Sequence, residues 1–314
     1  MSKLLIASAA VLMATQAAAN CPAVTGPEAG GKYPHLFEKA EYEKAQGCSL
    51  SFNENPAINA LNSRIPGNPE LPALAQRLPQ EPLVIAPYKQ IGQYGGVLDG
   101  ISKATESGTS DLLSVRHVNL VRFNDDLQTI VPNVAKSWQW NDDFTQLTFE
   151  LRKGHKWSDG ADFTAEDIAF WYNNVQMDTN IIKSAPERFM AGDKPFNVEA
   201  VDAQTLRISM AEPMPGLLST FALDFAQPFL PKHLLSQFHP QLNKDADAKA
   251  QKLGFENGYA LINFYYGQSD WKDVPTTLLK DKAKADALAQ AGFTASLPTL
   301  EAFIVVEDTL EGRR

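Results

Sequence analysis

Few residues in this chain stand at spacings that support chemistry. Gly26-Pro27-Glu28-Ala29-Gly30-Gly31-Lys32-Tyr33 has the spacing of a phosphate loop, but Tyr33 stands where a magnesium-binding Ser or Thr is required. No apolar strand leads into it either. Ile91-Gly92-Gln93-Tyr94-Gly95-Gly96 lacks dinucleotide-binding spacing, and neither G-x-S-x-G nor H-E-x-x-H occurs. His233 and His239 are six residues apart, a poor spacing for one helical face, and read as turn or surface histidines rather than metal ligands. Asp125-Asp126 and Asp142-Asp143 read as solvated turn carboxylates, because neither pair sits in a loop of spaced oxygen ligands. Cys21 and Cys48 are 27 residues apart (48 − 21), with no histidine at ligand spacing. In an oxidising compartment they read as a disulfide whose loop closure stabilises the fold by about 3.5 kcal/mol, two unlinked thiols being the alternative. The pattern favours binding over catalysis, with no cofactor and no metal.

The elements that would hold a site are clearest in residues 135–175, AKSWQWNDDFTQLTFELRKGHKWSDGADFTAEDIAFWYNNV. Leu147, Phe149 and Leu151 alternate with Thr148 and Glu150, the period of a half-buried strand. Lys153-Gly154 and Ser158-Asp159-Gly160 punctuate turns. Thr164 reads as a helix N-cap, with Glu166 and Asp167 in the first turn facing the positive end of the helix dipole. Ile168, Trp171, Tyr172 and Val175 follow at helical spacing and predict one buried face. On physical grounds the block is a structural corner.

The N-terminus predicts export. Lys3 precedes an uncharged apolar run over residues 4–14, and Ala17-Ala18-Ala19 offers small residues for cleavage before Asn20, giving a signal peptide over 1–19. The run is shorter than the ~20 residues that span a bilayer. A lipid anchor on Cys21 is not expected, since Ala18 and Asn20 occupy the positions where that processing wants a leucine-like and a small residue. The chain is therefore expected in the periplasm. Its 44% hydrophobic and 21% charged residues are ordinary for a globular protein. The net charge of −9 argues against a nucleic-acid partner and against a polybasic membrane-surface protein.

Residues 20–92 are rich in proline, which discourages long helices and predicts an extension wrapped on another domain's surface. A short helix is expected over 33–46, ended by Gly47. Residues 93 to about 239 read as an α+β core with several alternating strands. Residues 244–252 read as a helix stopping at Gly254, and 280–290 as a second. The aromatic run Phe264-Tyr265-Tyr266 is read as core packing. Residues 302–306 form a strong β run that needs a sheet partner.

The run W-x-W-x-x-D-x-x-x-x-T-F-x-L-R-x-G-x-K-W-S-D-G-x-x-F-T-A-E-D closely resembles the hallmark block of the family 5 extracellular solute-binding proteins, the peptide- and oligopeptide-binding receptors of ATP-driven importers. Its motif residues here are Trp138, Phe149, Leu151, Arg152, Gly154, Trp157, Asp159, Gly160, Thr164 and Asp167. Tyr94-Gly95-Gly96-Val97-Leu98 resembles the family's first lobe strand. Residues 127–135 resemble its approach to the block, residues 198–210 its following hairpin, and Leu230-Pro231-Lys232-His233 its "L-P-K-H" turn. The resemblance covers about residues 94–239 and implies a type II-like periplasmic-binding-protein clamshell of mixed α+β or α/β class. Lobe I would span 93–268, and 269–314 would be the start of a lobe II that the family carries further, so the chain reads as a truncated, N-terminal portion.

The implied function is a non-enzymatic, monomeric receptor that delivers a peptide or other small solute to an ABC import permease. Relatives on this scaffold also serve oligosaccharides, opines and metal chelates. A secreted oligosaccharide-binding protein or hydrolase is the alternative. Ligand contacts are expected from loops at strand ends: Thr109, Ser110 and Asp111, with Asp111 pairing a peptide's amino terminus, and Phe225 and Gln227 before the Pro231 turn. With one lobe and part of another, weak ligand binding or none is the expectation.

Overall fold

Alternation of side chains builds the centre of the protein, seen here in a computed structural model. It describes residues 21, 36–64, 70–85, 92–96, 118–124, 126–223, 228–266, 281–293, 297–300, 308–309 and 312–313. The N-terminal elements are β1 (Leu36–Glu38), α1 (Lys39–Gln46), α2 (Ile58–Asn62), α3 (Leu74–Arg77) and β2 (Leu83–Ile85). Then come β3 (Val121–Phe123), β4 (Ile130–Pro132), β5 (Ala135–Trp140), β6 (Gln146–Leu151) and α4 (Ala165–Phe170). Next come β7 (Met190–Ala191), β8 (Lys194–Pro195), β9 (Asn197–Ala200) and β10 (Thr205–Ser209). Helices α5 (Leu217–Leu223), α6 (Lys232–Leu235), α7 (Ala246–Lys252), α8 (Gly258–Tyr266) and α9 (Lys282–Gln290) precede the short pair β11 (Asp308–Thr309) and β12 (Gly312–Arg313).

The main sheet has the order β5-β6-β10-β9, antiparallel throughout. Its register lines up two apolar rows across all four strands. One is Trp138, Phe149, Leu206 and Ala200; the other is Trp140, Leu147, Ile208 and Val198. The other face carries Gln139, Thr148, Arg207 and Glu199 in register. A slip of one residue would exchange these faces, so the apolar rows specify the pairing. Helix α4 packs over β9 and β10, burying Ile168, Phe170, Trp171, Tyr172 and Val175. Beyond Phe170 the helix widens to π geometry over Trp171–Gln176, with Met177 N–H donating to Tyr172 O at 3.1 Å. Tyr172 ties this segment to the next: its hydroxyl donates to Phe189 O at 2.8 Å and accepts from Phe196 N–H at 2.5 Å. The fold buries that hydroxyl, pushing its pKa up to about 12.

Several boundaries differ from the sequence expectation. The helix expected over 33–46 begins only at Lys39, because residues 36–38 pair with β2; it does end at Gly47, in the left-handed conformation at φ 63°. Tyr94, Gly95 and Gly96 are not in a strand, since both glycines have positive φ, outside the β region. The helix read over 244–252 forms Ala246–Lys252, and that over 280–290 forms Lys282–Gln290. Phe264 and Tyr265 are core residues. The β run at 302–306 and the leader at 1–19 lie outside the described residues.

Cys21 and Cys48 are joined as a disulfide, and Cys21 N–H also donates to Ser49 O at 2.9 Å. The β1–β2 pair meets the end of β6 through Arg152. That guanidinium, its side chain 3% exposed, takes both oxygens of Glu38 at 2.6 and 2.7 Å. It also donates to Asn133 O at 2.7 Å and to Glu81 O at 2.9 Å. Gln80 N–H donates to Lys153 O at 3.0 Å beside Gly154, whose φ is 78°. A side chain at Gly154 would press on Gln80 at 3.3 Å.

Candidate functional site

Two sequence-distant motifs, residues 157–167 and the Pro231 turn, interlock into one corner. Trp157 N–H donates to Ala161 O and Gly160 N–H to Trp157 O, both at 2.9 Å, closing a tight turn. Gly160 adopts φ 88°, a region costly for any other residue here. Trp157 is buried and meets Phe163 edge-on at 5.5 Å, and Phe163 in turn meets Phe229 at 5.5 Å. Phe229 leads into the Pro231 turn, so apolar packing brings the two segments together.

Polar groups then lock the register. Asp159 Oδ2 lies 2.7 Å from His233 Nε2, while Asp159 Oδ1 accepts from Ala161 N–H at 3.1 Å. Burial pushes the Asp159 carboxyl up, but the hydrogen bond and charge of His233 pull it further down, leaving it below the usual range. Asp167 accepts from Thr164 N–H at 2.9 Å through one oxygen and from Lys232 N–H at 2.9 Å through the other. Burial nevertheless holds its carboxyl above the usual range. The Trp157 indole N–H is close enough to oppose that rise yet short of full hydrogen-bond geometry. Lys232 Nζ reaches Glu166 at 2.7 Å. Ser158 N–H donates to Thr299 O, and Thr299 N–H to Ser158 Oγ, both at 3.0 Å, so residues 297–300 also close on this corner.

His155 sits behind it. Its ring meets Phe163 at 5.5 Å, and burial, with a smaller push from the Arg152 charge, lowers its pKa to about 4. It is therefore neutral near pH 7.

The histidines divide. His233 is partly exposed, in the short helix α6 rather than a turn, and pairs with Asp159. His239 is not a surface histidine: it is fully buried. Its Nε2 donates to Asn174 O at 2.8 Å and lies 3.4 Å from Asp178, which also accepts from the Tyr259 hydroxyl at 3.2 Å. The cluster pins the π-helical segment to α8, and residue spacing gave no sign of it. Arg152 gave a partial one, as a charge closing an apolar strand, but Glu38 lies 114 residues away. Asp126 and Asp143 are turn carboxylates, as read: Asp126 accepts from Gln128 and Thr129, and Asp143 from Thr145.

Among the described residues a groove of about 310 Å³ runs along the free edge of β9, floored by Ala169, Phe170 and Val198. Asn173 already donates to Val198 O at 2.9 Å, and Lys232 and Glu166 pair with each other at its rim. It presents no unpaired charge to a ligand. The proposed ligand contacts Thr109, Ser110, Asp111, Phe225 and Gln227 lie outside the described residues.

Residues 129–260 match the family of bacterial extracellular solute-binding proteins, family 5 Middle. Over this region, less than half of its length, the chain is similar to the family 5 solute-binding proteins. It is 33% identical over 122 residues to a periplasmic alpha-galactoside-binding protein of Rhizobium meliloti (strain 1021), covering 37% of this chain and 17% of that one. It is 32% identical over 156 residues to the periplasmic oligopeptide-binding protein OppA of Escherichia coli (strain K12), covering 45% of this chain and 26% of that one. A solved oligopeptide-binding protein OppA superposes with a TM-score of 0.66 at 29% identity, over 86% of this chain and 38% of that one. The fold is thus the mixed α/β, type II periplasmic-binding-protein fold that the motifs imply. The chain spans well under half the length of these relatives.

Proposed function

We propose that this protein is an exported receptor that binds a peptide-like solute and presents it, as a monomer, to an ABC import permease. The observation that carries this reading is the agreement of the family 5 region with an OppA-like fold over 86% of the chain. An extended peptide is held by strand-like main-chain hydrogen bonds, with pockets tolerating varied side chains. Closure of lobes around it shifts the population toward the form a permease accepts, with the ligand supplying the differential affinity. In this reading residues 1–19 are a leader, 20–92 an extension on lobe I (93–268), and 269–314 the start of lobe II. Thr109, Ser110, Asp111, Phe225 and Gln227 line the ligand side.

One observation favours a second solute class: the alpha-galactoside-binding relative at 33% identity. Calorimetric titration with defined di- to pentapeptides and, separately, with galactosides separates the two. Saturable binding of peptides supports the proposal. Binding of galactosides alone replaces the solute, and no saturable binding of either class by a chain carrying both lobes overturns the receptor reading.

A further inference from the structure

The tip of the β5–β6 hairpin carries an outlier that the corner does not explain. Phe144 adopts φ 57°, a left-handed conformation that suits glycine or asparagine and strains a bulky aromatic residue. The surrounding turn enforces it. Asn141 Oδ1 accepts from Gln146 N–H at 2.8 Å, and Asp143 Oδ1 accepts from the Thr145 hydroxyl at 2.6 Å. Held this way Phe144 remains 43% exposed while its ring meets Trp140 edge-on at 5.5 Å.

The loop at residues 210–216 lies against this tip. Met210 N–H donates to Thr145 O at 2.8 Å and Met214 N–H to Phe144 O at 3.0 Å. Phe144, half-buried Trp140 and Met214, and exposed Pro213 form an apolar centre. Asp142, Asp143 and Glu212 are exposed around it, and neither loop contains a Lys or Arg. The adjoining β7–β8 turn, whose Gly192 approaches Glu212, adds Asp193 and a single lysine, Lys194.

We propose that this tip is a docking surface for a basic, apolar-anchored loop of a protein partner. Backbone strain persists where the surrounding structure over-determines it, and it concentrates at functional sites. An aromatic centre inside a polar rim is the anatomy of an interaction hot spot. Charge selects the occupant. The exposed carboxylates repel an acidic segment and steer a basic one, and hydrogen bonds from Thr145 keep the Asp143 carboxyl low and ionised. A lysine or arginine over the Trp140 or Phe144 ring gains a cation–π contact. The inference rests on the receptor reading for its partner, which is then an extracytoplasmic loop of the import permease.

The test measures binding of the full-length receptor to nanodiscs carrying the import permease of the same cell, with empty nanodiscs as blank. Phe144→Gly relieves the positive φ, and the double variant Asp142→Lys with Glu212→Lys reverses exposed charge without touching the apolar centre. The expected result is at least tenfold weaker binding for Phe144→Gly. The charge variant should associate more slowly with a flatter salt dependence. Solute affinity and thermal midpoint should be unchanged in both. Wild-type affinity in both variants overturns the surface while leaving the receptor reading intact. No binding by the wild type overturns both.

Discussion

Replacing Glu38 with Gln tests whether Arg152 is the latch between the β1–β2 pair and the main sheet. The guanidinium is almost wholly buried and makes four hydrogen bonds, two of them to the Glu38 carboxylate at 2.6 and 2.7 Å. Glutamine keeps the shape but turns one acceptor into a donor that faces an Arg152 N–H, and it leaves the positive charge without the carboxylate that offsets its desolvation. Breaking a buried pair from one side costs about 3–5 kcal/mol. Glu38 retains 19% side-chain exposure and the two carbonyl acceptors remain, so the low end applies, about 3 kcal/mol. That is a factor of about 150 in the folding equilibrium. Urea unfolding followed by tryptophan fluorescence should show the midpoint falling by about 1–1.5 M for a slope of about 2–3 kcal/mol/M. Replacing Glu38 and Arg152 together with methionine should recover most of the loss, because an apolar pair carries no desolvation penalty. A Glu38→Gln loss below about 0.5 kcal/mol, or a double variant no better than the single one, refutes the latch.

His155 makes the fold acid-sensitive. Its folded pKa of about 4 lies below the unfolded 6.5, so only the unfolded state takes up a proton between those values and stability falls as pH drops from 6.5 toward 4. Unfolding free energies from urea titrations at pH 7.5 and 4.5 should differ by about 2–3 kcal/mol more in wild type than in His155→Phe; equal pH dependence would contradict the assignment. Trp157→Ala should cost about 3–5 kcal/mol by calorimetric unfolding; a normally stable variant that loses solute binding would place the corner in the ligand site instead. Tyr172→Phe leaves the Phe196 N–H and Phe189 carbonyl without their hydroxyl partner and should cost about 1–3 kcal/mol, with hydrogen exchange at Phe196 accelerating. Unchanged exchange there would show that the hydroxyl is dispensable.

Local chemistry was legible in the residues. The alternation of Leu147, Phe149 and Leu151 set the buried face of β6, and Thr164 with Glu166 and Asp167 marked the start of α4. Gly47 and Gly160 marked backbone that must turn left-handed. These signals are read from residues a few positions apart, where strand period, capping and φ preference operate. Boundaries that depended on a distant partner were not legible: Leu36–Glu38 became a strand because residues 83–85 lay beside it, and Tyr94–Gly96 did not form one.

The sequence by itself determined most local elements and the type of corner, and its motifs carry the resemblance to the family 5 solute-binding proteins. Only the tertiary structure decided what the motif residues do. Asp159 and Asp167 looked like a turn residue and a capping residue, yet each also receives a group from the Pro231 turn some 65–74 residues later. Arg152 acquired its role from Glu38, and His239 its burial from Asn174 and Asp178. Hydrogen bonding and desolvation act through space, and the distance along the chain carries no record of which groups will meet.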